Sequence, residues 1–392
     1  MNLLKDCVVT NKNVILRIDI NVPIIDGKIT DDTRIRAVIP TIKYLIENQA
    51  KVILISHFGR PKGKRVESMS LKQLVLRIEE LLGQKINFSD DCVGEKTQKE
   101  VSETGYGEVI LLENLRFHQE ETKNDPEFSR QLASLGNLFV NDAFSCSHRY
   151  HASIVGIAGI LKSCAGLLLG KEIENLQNLI SSPKKPVLAI VGGSKVSTKI
   201  DLINALTTKA NFIFIAGGMA NTFLYAMGNN VGKSLCEKEL KDVALEILEN
   251  SQKNGCEIIL PKDVVICKKL ENGTEVQNIS AAKVTNDDII ADAGSQTIID
   301  LENRLENIKT VVWNGPLGAF EIKPFDKSTN DLAKIVALKT RAGSLISVAG
   351  GGDVVSALNY SGFINDFSYI STAGGAFLEW LEGKSLPGIE VL

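Results

Sequence analysis

Asp19 and Asn21 in Arg17-Ile-Asp-Ile-Asn-Val-Pro23, Arg34, His57 and Arg60 in Ser56-His-Phe-Gly-Arg-Pro61, Arg116 in Leu112-Glu-Asn-Leu-Arg-Phe117 and Arg149 in His148-Arg149 share one pattern. Each follows or closely flanks a short apolar run that reads as a buried strand, so these side chains are expected on loops at strand ends. A guanidinium holds carboxylate or phosphate through two parallel hydrogen bonds. Arginines on four separate loops suggest a fixed cage for a small substrate carrying both kinds of anion. Scattered surface ion pairs would account for any single one of them, since such pairs carry little energy. Their joint placement at successive strand ends is what favours a cage.

The second half of the chain carries a different chemistry. Apolar runs end in Gly192-Gly-Ser-Lys-Val-Ser-Thr-Lys199, Ala216-Gly-Gly-Met-Ala-Asn-Thr222, Asn314-Gly-Pro-Leu-Gly318 and Ala349-Gly-Gly-Gly-Asp353. Glycines at the carboxyl ends of parallel strands let backbone amides approach a ligand, and the helix N-terminus that follows favours an anion. Any one loop is also explained as a tight strand-to-helix turn with no ligand. Four of them point to a nucleotide crevice. Lys195 and Lys199, four residues apart, are expected on one face at the start of a helix, aimed at one phosphate chain. Asp353, directly after three glycines, is placed to hold Mg²⁺, an ion that takes few carboxylates and keeps its waters.

Two common nucleotide signatures are absent. Gly228-Asn-Asn-Val-Gly-Lys-Ser234 resembles a P-loop, but the spacing requires glycine where Met227 stands. No dinucleotide fingerprint with its ribose-binding acid follows the first strand, which disfavours a dehydrogenase.

Runs rich in Val and Ile at 14–18, 52–55, 109–112, 138–140, 187–191, 212–215, 258–260, 311–313 and 345–348 must position these groups. They mostly do not alternate in polarity, as expected of parallel strands buried on both faces. Helix-period stretches at 71–82, 237–251 and 331–338 separate many of them, so the chain reads as α/β with parallel sheets. A helix within 171–185, ending in Ser181-Ser-Pro-Lys-Lys-Pro186, marks the boundary between an arginine-bearing half and a glycine-bearing half.

With 392 residues and 44% apolar content, the chain can bury two cores. A net charge of −3 argues against a nucleic-acid binder. The densest basic cluster, Lys62-Gly-Lys-Arg65, is short and reads as a loop beside an anion site. Seven cysteines without a Cys-x-x-Cys pair fit reduced thiols in a cytoplasmic protein. Cys146 near His148 and His151 could hold a metal, but no second cluster of soft ligands completes such a site. Asp6 comes too early for a signal peptide, and Lys162 and several glycines interrupt the longest apolar run, so no membrane partner is expected.

Along its whole length the chain resembles the phosphoglycerate kinases. The matching segments are 17–23, 56–61, 113–117, 142–149, 192–199, 313–316, 350–353 and 371–375. The resemblance implies two doubly wound parallel-sheet (Rossmann-like) α/β domains joined by a helix, with a C-terminal segment returning to the first. The expected division is 1–170, a linker at 171–185, 186–370, and a returning segment at 371–392. The implied activity is reversible phosphoryl transfer between 1,3-bisphosphoglycerate and ADP, giving 3-phosphoglycerate and ATP, by a monomer. It assigns Asp19, Asn21, Arg34, His57, Arg60, Arg116 and Arg149 to the triose, and Lys195, Lys199, Gly217, Gly218, Asn314, Glu321, Gly351, Gly352, Asp353 and Val354 to the nucleotide. Asp353 would carry Mg²⁺. Arg34, Lys195 and the amides of Gly374 and Gly375 would stabilise the phosphoryl group in transfer. Because the attacking carboxylate is ionised at neutral pH, with a free pKa of roughly 3.5, no general base is required. Half-sites on separate domains, closing around both substrates, would shield the acyl phosphate from water.

Three positions depart from the family pattern: Ala373 stands where glycine is usual, Val354 where a hydroxyl residue is usual, and Ser145-Cys-Ser147 replaces a glycine-containing turn. They leave two other readings open: a nucleotide-binding scaffold of weak activity, and a kinase for another small carboxylate.

Overall fold

A computed structural model of the chain describes residues 1–177, 183–371 and 373–392. The chain forms two units, Met1–Glu174 with Ser385–Leu392, and Asn175–Lys384.

In the first unit the strands are β1 (Asn13–Arg17), β2 (Ile24–Ile25), β3 (Lys28–Ile29), β4 (Lys51–Ile55), β5 (Asn87–Ser89), β6 (Val109–Leu112), β7 (Leu138–Asn141) and β8 (Ser163–Ala165). β2 and β3 make a short hairpin, and the others form a six-stranded sheet in the order β5-β6-β4-β1-β7-β8. All of its pairings are parallel. Successive residues feed two cores. Val14 and Leu16 join Val52, Leu54 and Val109 on one face, with Ile35, Val38 and Ile42 of the helix Thr33–Glu47. Ile15, Ile53, Ile110 and Phe139 point to the other face, with Phe128 and Leu132 of the helix Pro126–Ala133. Burial on both faces explains why these runs are continuously apolar.

The second unit holds β9 (Val187–Val191), β10 (Phe212–Ile215), β11 (Glu257–Ile259), β12 (Asp263–Cys267), β13 (Gln277–Ser280), β14 (Ile289–Ala293), β15 (Thr310–Asn314), β16 (Ile346–Gly350) and β17 (Tyr369–Ser371). Its parallel sheet runs β11-β10-β9-β15-β16-β17. Leu188, Ile190, Phe214, Val311 and Trp313 pack there on Leu332 and Val336 of the helix Lys327–Arg341. Each fully buried aliphatic side chain contributes about 1.5–3 kcal/mol, so the sheets form rigid platforms for the loops at their ends.

All nine expected strands are present, and the fold class is that expected: two parallel-sheet α/β domains. The differences lie at the margins. β12, β13 and β14 form an antiparallel sheet, which the parallel reading did not anticipate. β13 is almost wholly exposed and offers no apolar run to read. The helix expected within 171–185 is Leu167–Leu176, and Ser181 and Ser182 lie outside the described residues. The segment expected to return to the first unit from 371 divides later, at Lys384/Ser385. β17 pairs with β16, and Lys209 Nζ donates to the Leu381 carbonyl at 2.8 Å, so residues up to Lys384 belong with the second unit. Residues 385–392 do pack in the first, where Asn141 Nδ2 donates to the Gly388 carbonyl at 3.0 Å.

Candidate active site

In each sheet the chain order reverses at one point, between β1 and β7 in the first unit and between β9 and β15 in the second. Loops leaving adjacent strands there diverge to opposite faces and open a crevice at the strand ends. The candidate residues gather at these two points.

Arg17, the last residue of β1, is fully buried. Its Nε donates to Ser153 Oγ at 3.0 Å, and its Nη2 lies 3.1 Å from His57 Nδ1 and 3.6 Å from Cys146 Sγ. A guanidinium can only donate, so His57 Nδ1 accepts and the ring proton sits on Nε2. Burial, reinforced by the charges of Arg17, Arg116 and Arg34, holds His57 well below the usual histidine range. The ring is therefore neutral, with an N–H left to offer.

Asp19 follows β1. Its Oδ2 accepts from Arg34 Nη1 at 2.7 Å and from the Ser145 hydroxyl, and its Oδ1 accepts from the Asn21 N–H at 3.0 Å. Burial would raise this carboxyl, but the neighbouring His57, Arg34 and these hydrogen bonds together outweigh it and keep Asp19 below the usual carboxylate range. Asn21 Oδ1 accepts from the Gly59 N–H at 2.9 Å, and Arg116 Nη1 donates to the Gly59 carbonyl at 2.9 Å. Asp19, Asn21, Arg34 and, through Gly59, Arg116 thus form one hydrogen-bonded group, while Arg17 holds His57. Arg34 is not on a loop as expected. It occupies the first turn of the helix Thr33–Glu47, whose start after Asp32 turns it toward Asp19. Arg60 and Arg149 are on loops, exposed, and have no ion-pair partner among the described residues.

In the second unit the ends of β9 and β15 nearly touch. A Cβ on Gly192 would lie 1.9 Å from the Pro316 carbonyl oxygen, so no side chain fits there. Gly217 combines a φ of +68° with a virtual Cβ 2.7 Å from the Gly193 carbonyl oxygen. Beside them opens a cavity of about 650 Å³ whose walls include Gly193, Gly217, Gly218, Leu317, Glu321 and Asp353. Lys199 Nζ donates to the Gly192 carbonyl and to Asn314 Oδ1, while Asn314 Nδ2 donates to the Gly350 carbonyl at 2.6 Å. Burial pushes Lys199 down to about 8, opposed by the charge of Asp353.

Two expectations fail here. Lys195 and Lys199 do not share a helix face; they flank the single 3-10 turn Val196–Thr198, and the helix begins at Ile200. Lys195 points to solvent while Lys199 is drawn inward. Val354 is fully buried in the core that includes Val336 and Leu358, so its side chain faces no ligand. The helix Gly352–Ser361 must seat an apolar face on the sheet, and Val354 belongs to that face. Gly351 and Gly352 open this helix, with Gly351 at φ +115° and Asp353 in its first turn. Gly374 (φ +49°) precedes the short helix Gly375–Leu381; Ala373 beside it is buried, and its N–H donates to Ser371 Oγ. Thr372, within the matched segment 371–375, lies outside the described residues.

Some residues that build the site were not singled out from sequence. Arg17 was visible as a charge inside an apolar run. Ser145 stood out only as a departure from the family pattern, and Glu237 had no such signal. Glu237 accepts from the Ser197 N–H at 3.0 Å and from its hydroxyl, holding the loop that carries Lys195.

The two parallel-sheet α/β domains thus carry a cation cluster at one switch point and a glycine-rimmed cavity at the other. Residues 4–384 match the family model described as phosphoglycerate kinase. The chain is 51% identical over 389 residues to a phosphoglycerate kinase of Xanthobacter autotrophicus, covering 99% of this chain and 98% of that one. A phosphoglycerate kinase of Sinorhizobium fredii is 50% identical over 384 residues, with 98% and 96% covered. The structure of phosphoglycerate kinase from Coxiella burnetii superposes with a TM-score of 0.90 at 39% identity, covering 99% of this chain and 97% of that one. The enzyme from Pyrococcus horikoshii gives 0.85 at 32% identity, with 100% and 98% covered. The chain belongs to the phosphoglycerate kinase family.

Proposed function

We propose that the family's phosphoryl transfer, between 1,3-bisphosphoglycerate and ADP, runs here on the two groups described above. The reading rests above all on Arg60 and Arg149, two exposed guanidinium groups that have no ion-pair partner among the described residues, in the unit that also holds the Asp19–Arg34 pair and His57. Cations paired only for stability would carry carboxylate partners. These are free to take a phosphate and a carboxylate.

Arg34, oriented by Asp19, binds the triose and balances charge on the moving phosphoryl group; Arg60, Arg116, Arg149 and Asn21 hold the substrate's anionic ends. Neutral His57 donates its Nε2 proton as a hydrogen bond without competing for protons with the nucleophile. Lys195, Lys199 and the amides of Gly351 and Gly352 receive the nucleotide phosphates, Gly217, Gly218 and Asn314 line the site, and Glu321 meets the ribose. Gly374 and Gly375 present amides to the phosphoryl group. Val354 takes part through its backbone alone. Asp353, an exposed oxygen donor whose carboxylate has no hydrogen-bond or ion-pair partner among the described residues, suits a hard cation that keeps most of its waters. A Mg²⁺ held there would neutralise phosphate charge. No proton needs to be removed, so catalysis reduces to alignment and charge balance. No helix among the described residues is long and apolar enough to cross a membrane; we take the protein to act as a cytoplasmic monomer.

A coupled assay of ATP consumption tests the reading. Turnover should require 3-phosphoglycerate and be negligible with glycerate or acetate. Equal turnover with either acid would instead favour a kinase for another small carboxylate.

A further inference from the structure

Asp91, Cys92 and His118 stand together in the first unit, and the phosphoryl transfer uses none of them. Asp91 and Cys92 follow β5, and His118 follows the 3-10 turn Leu115–Phe117. Asp91 Oδ1 and His118 Nε2 are 2.8 Å apart. One ligand atom from each of the three residues lies within 4.8 Å of the others, and among the described residues no other group of His, Cys, Asp and Glu meets that condition. Cys92 is 1% exposed, and its Sγ has no hydrogen-bond partner among the described residues. His118 and Asp91 both remain open to solvent, which gives an ion a path to the thiol.

An imidazole nitrogen, a thiol and a carboxylate oxygen are the donors that zinc prefers, and three protein ligands leave a fourth position for water. The surroundings favour a cation. The Asp91 carboxylate, next in the chain to the thiol and hydrogen-bonded to His118, supplies negative charge to offset that of a dication.

We infer that Asp91, Cys92 and His118 form a binding site for a divalent cation of the zinc class. Binding releases the thiol proton to solvent as sulfur bonds the metal. It also displaces the Nε2 proton that His118 donates to Asp91, so that the coordinating imidazole carries its proton on Nδ1 and gives its Nε2 lone pair to the ion. The His118 N–H donates to the Leu115 carbonyl at 3.1 Å, closing the turn that carries Arg116. A cation here would therefore clamp a triose-site turn to the loop after β5.

The test uses the full-length protein, reduced and stripped with chelator, titrated with Zn²⁺ against a chromophoric competitor. Co²⁺ serves as a second probe through its thiolate charge-transfer absorption. One equivalent should bind, with the cobalt–thiolate band. Losing even an outer-shell partner costs roughly 10–100-fold in metal affinity, so Cys92→Ser and His118→Gln should each weaken binding at least that much. Cys256→Ser, which removes another buried thiol, should change nothing. With Mg²⁺ supplied and no zinc added, both ligand variants should keep wild-type kinase turnover, which shows that they fold. Absence of stoichiometric binding, or equal affinity in wild type and His118→Gln, would mean that Asp91 and His118 form only an ion pair and would overturn the site.

Discussion

At the scale of single residues, the arginines of the first unit differ in what they already hold. Arg17 is engaged by Ser153, His57 and Cys146, whereas Arg116 gives only Nη1 to the Gly59 carbonyl, Arg34 has one carboxylate partner, and Arg60 and Arg149 have none among the described residues. Arg34→Ala should leave the fold intact, since its side chain is 36% exposed, and lower turnover about 10³-fold or more, as for other arginines that meet a transferring phosphoryl group. Steady-state kinetics beside a thermal melt checks both halves of that statement. Lys199 makes a pH prediction. Its ammonium is lowered to about 8, so it is charged below that pH and neutral above. Turnover per unit KM for the nucleotide, which reports the free enzyme, should fall as pH rises through about 8. In Lys199→Arg, whose guanidinium does not deprotonate there, that fall should vanish.

Elements decide how close backbone can come to a ligand. Gly217 and Gly228 both adopt positive φ, +68° and +91°, but only Gly217 is also crowded, by the Gly193 backbone; nothing lies within 4 Å of a Cβ on Gly228. Gly228→Ala should cost about 1–2 kcal/mol, the strain of a left-handed non-glycine residue. Gly217→Ala should cost more and also raise the nucleotide KM, as chemical denaturation and kinetics would show. This contrast marks what the sequence could reveal. The long strands were legible because a sheet covered on both faces demands unbroken apolar runs, and the glycine loops because close approach demands glycine. β5, β8 and β17 are only three residues long and carry Asn, Ser or Tyr, so no run stood out. The site residues were legible by type and position. Their directions were not: Lys195 and Lys199 diverge because a 3-10 turn separates them, and Arg34 reaches Asp19 from a helix. The joining of Asp91 and Cys92 to His118 depends on how two loops meet, which no local pattern encodes.

At the scale of the molecule, the chain places its candidate arginines and its glycine-lined cavity on different units, each at the reversal point of its own sheet. An acyl phosphate exposed to water would hydrolyse, and in-line transfer needs reacting atoms about 3–3.5 Å apart. Both demands are met if loading the two units drives them together. If each substrate supplies only part of the contacts for that step, closure requires both. Small-angle scattering with 3-phosphoglycerate and a non-hydrolysable ATP analogue tests this most directly. The account predicts a smaller radius of gyration with both ligands bound than with either alone. A radius indifferent to the second ligand, at concentrations where calorimetry shows both sites filled, would contradict it.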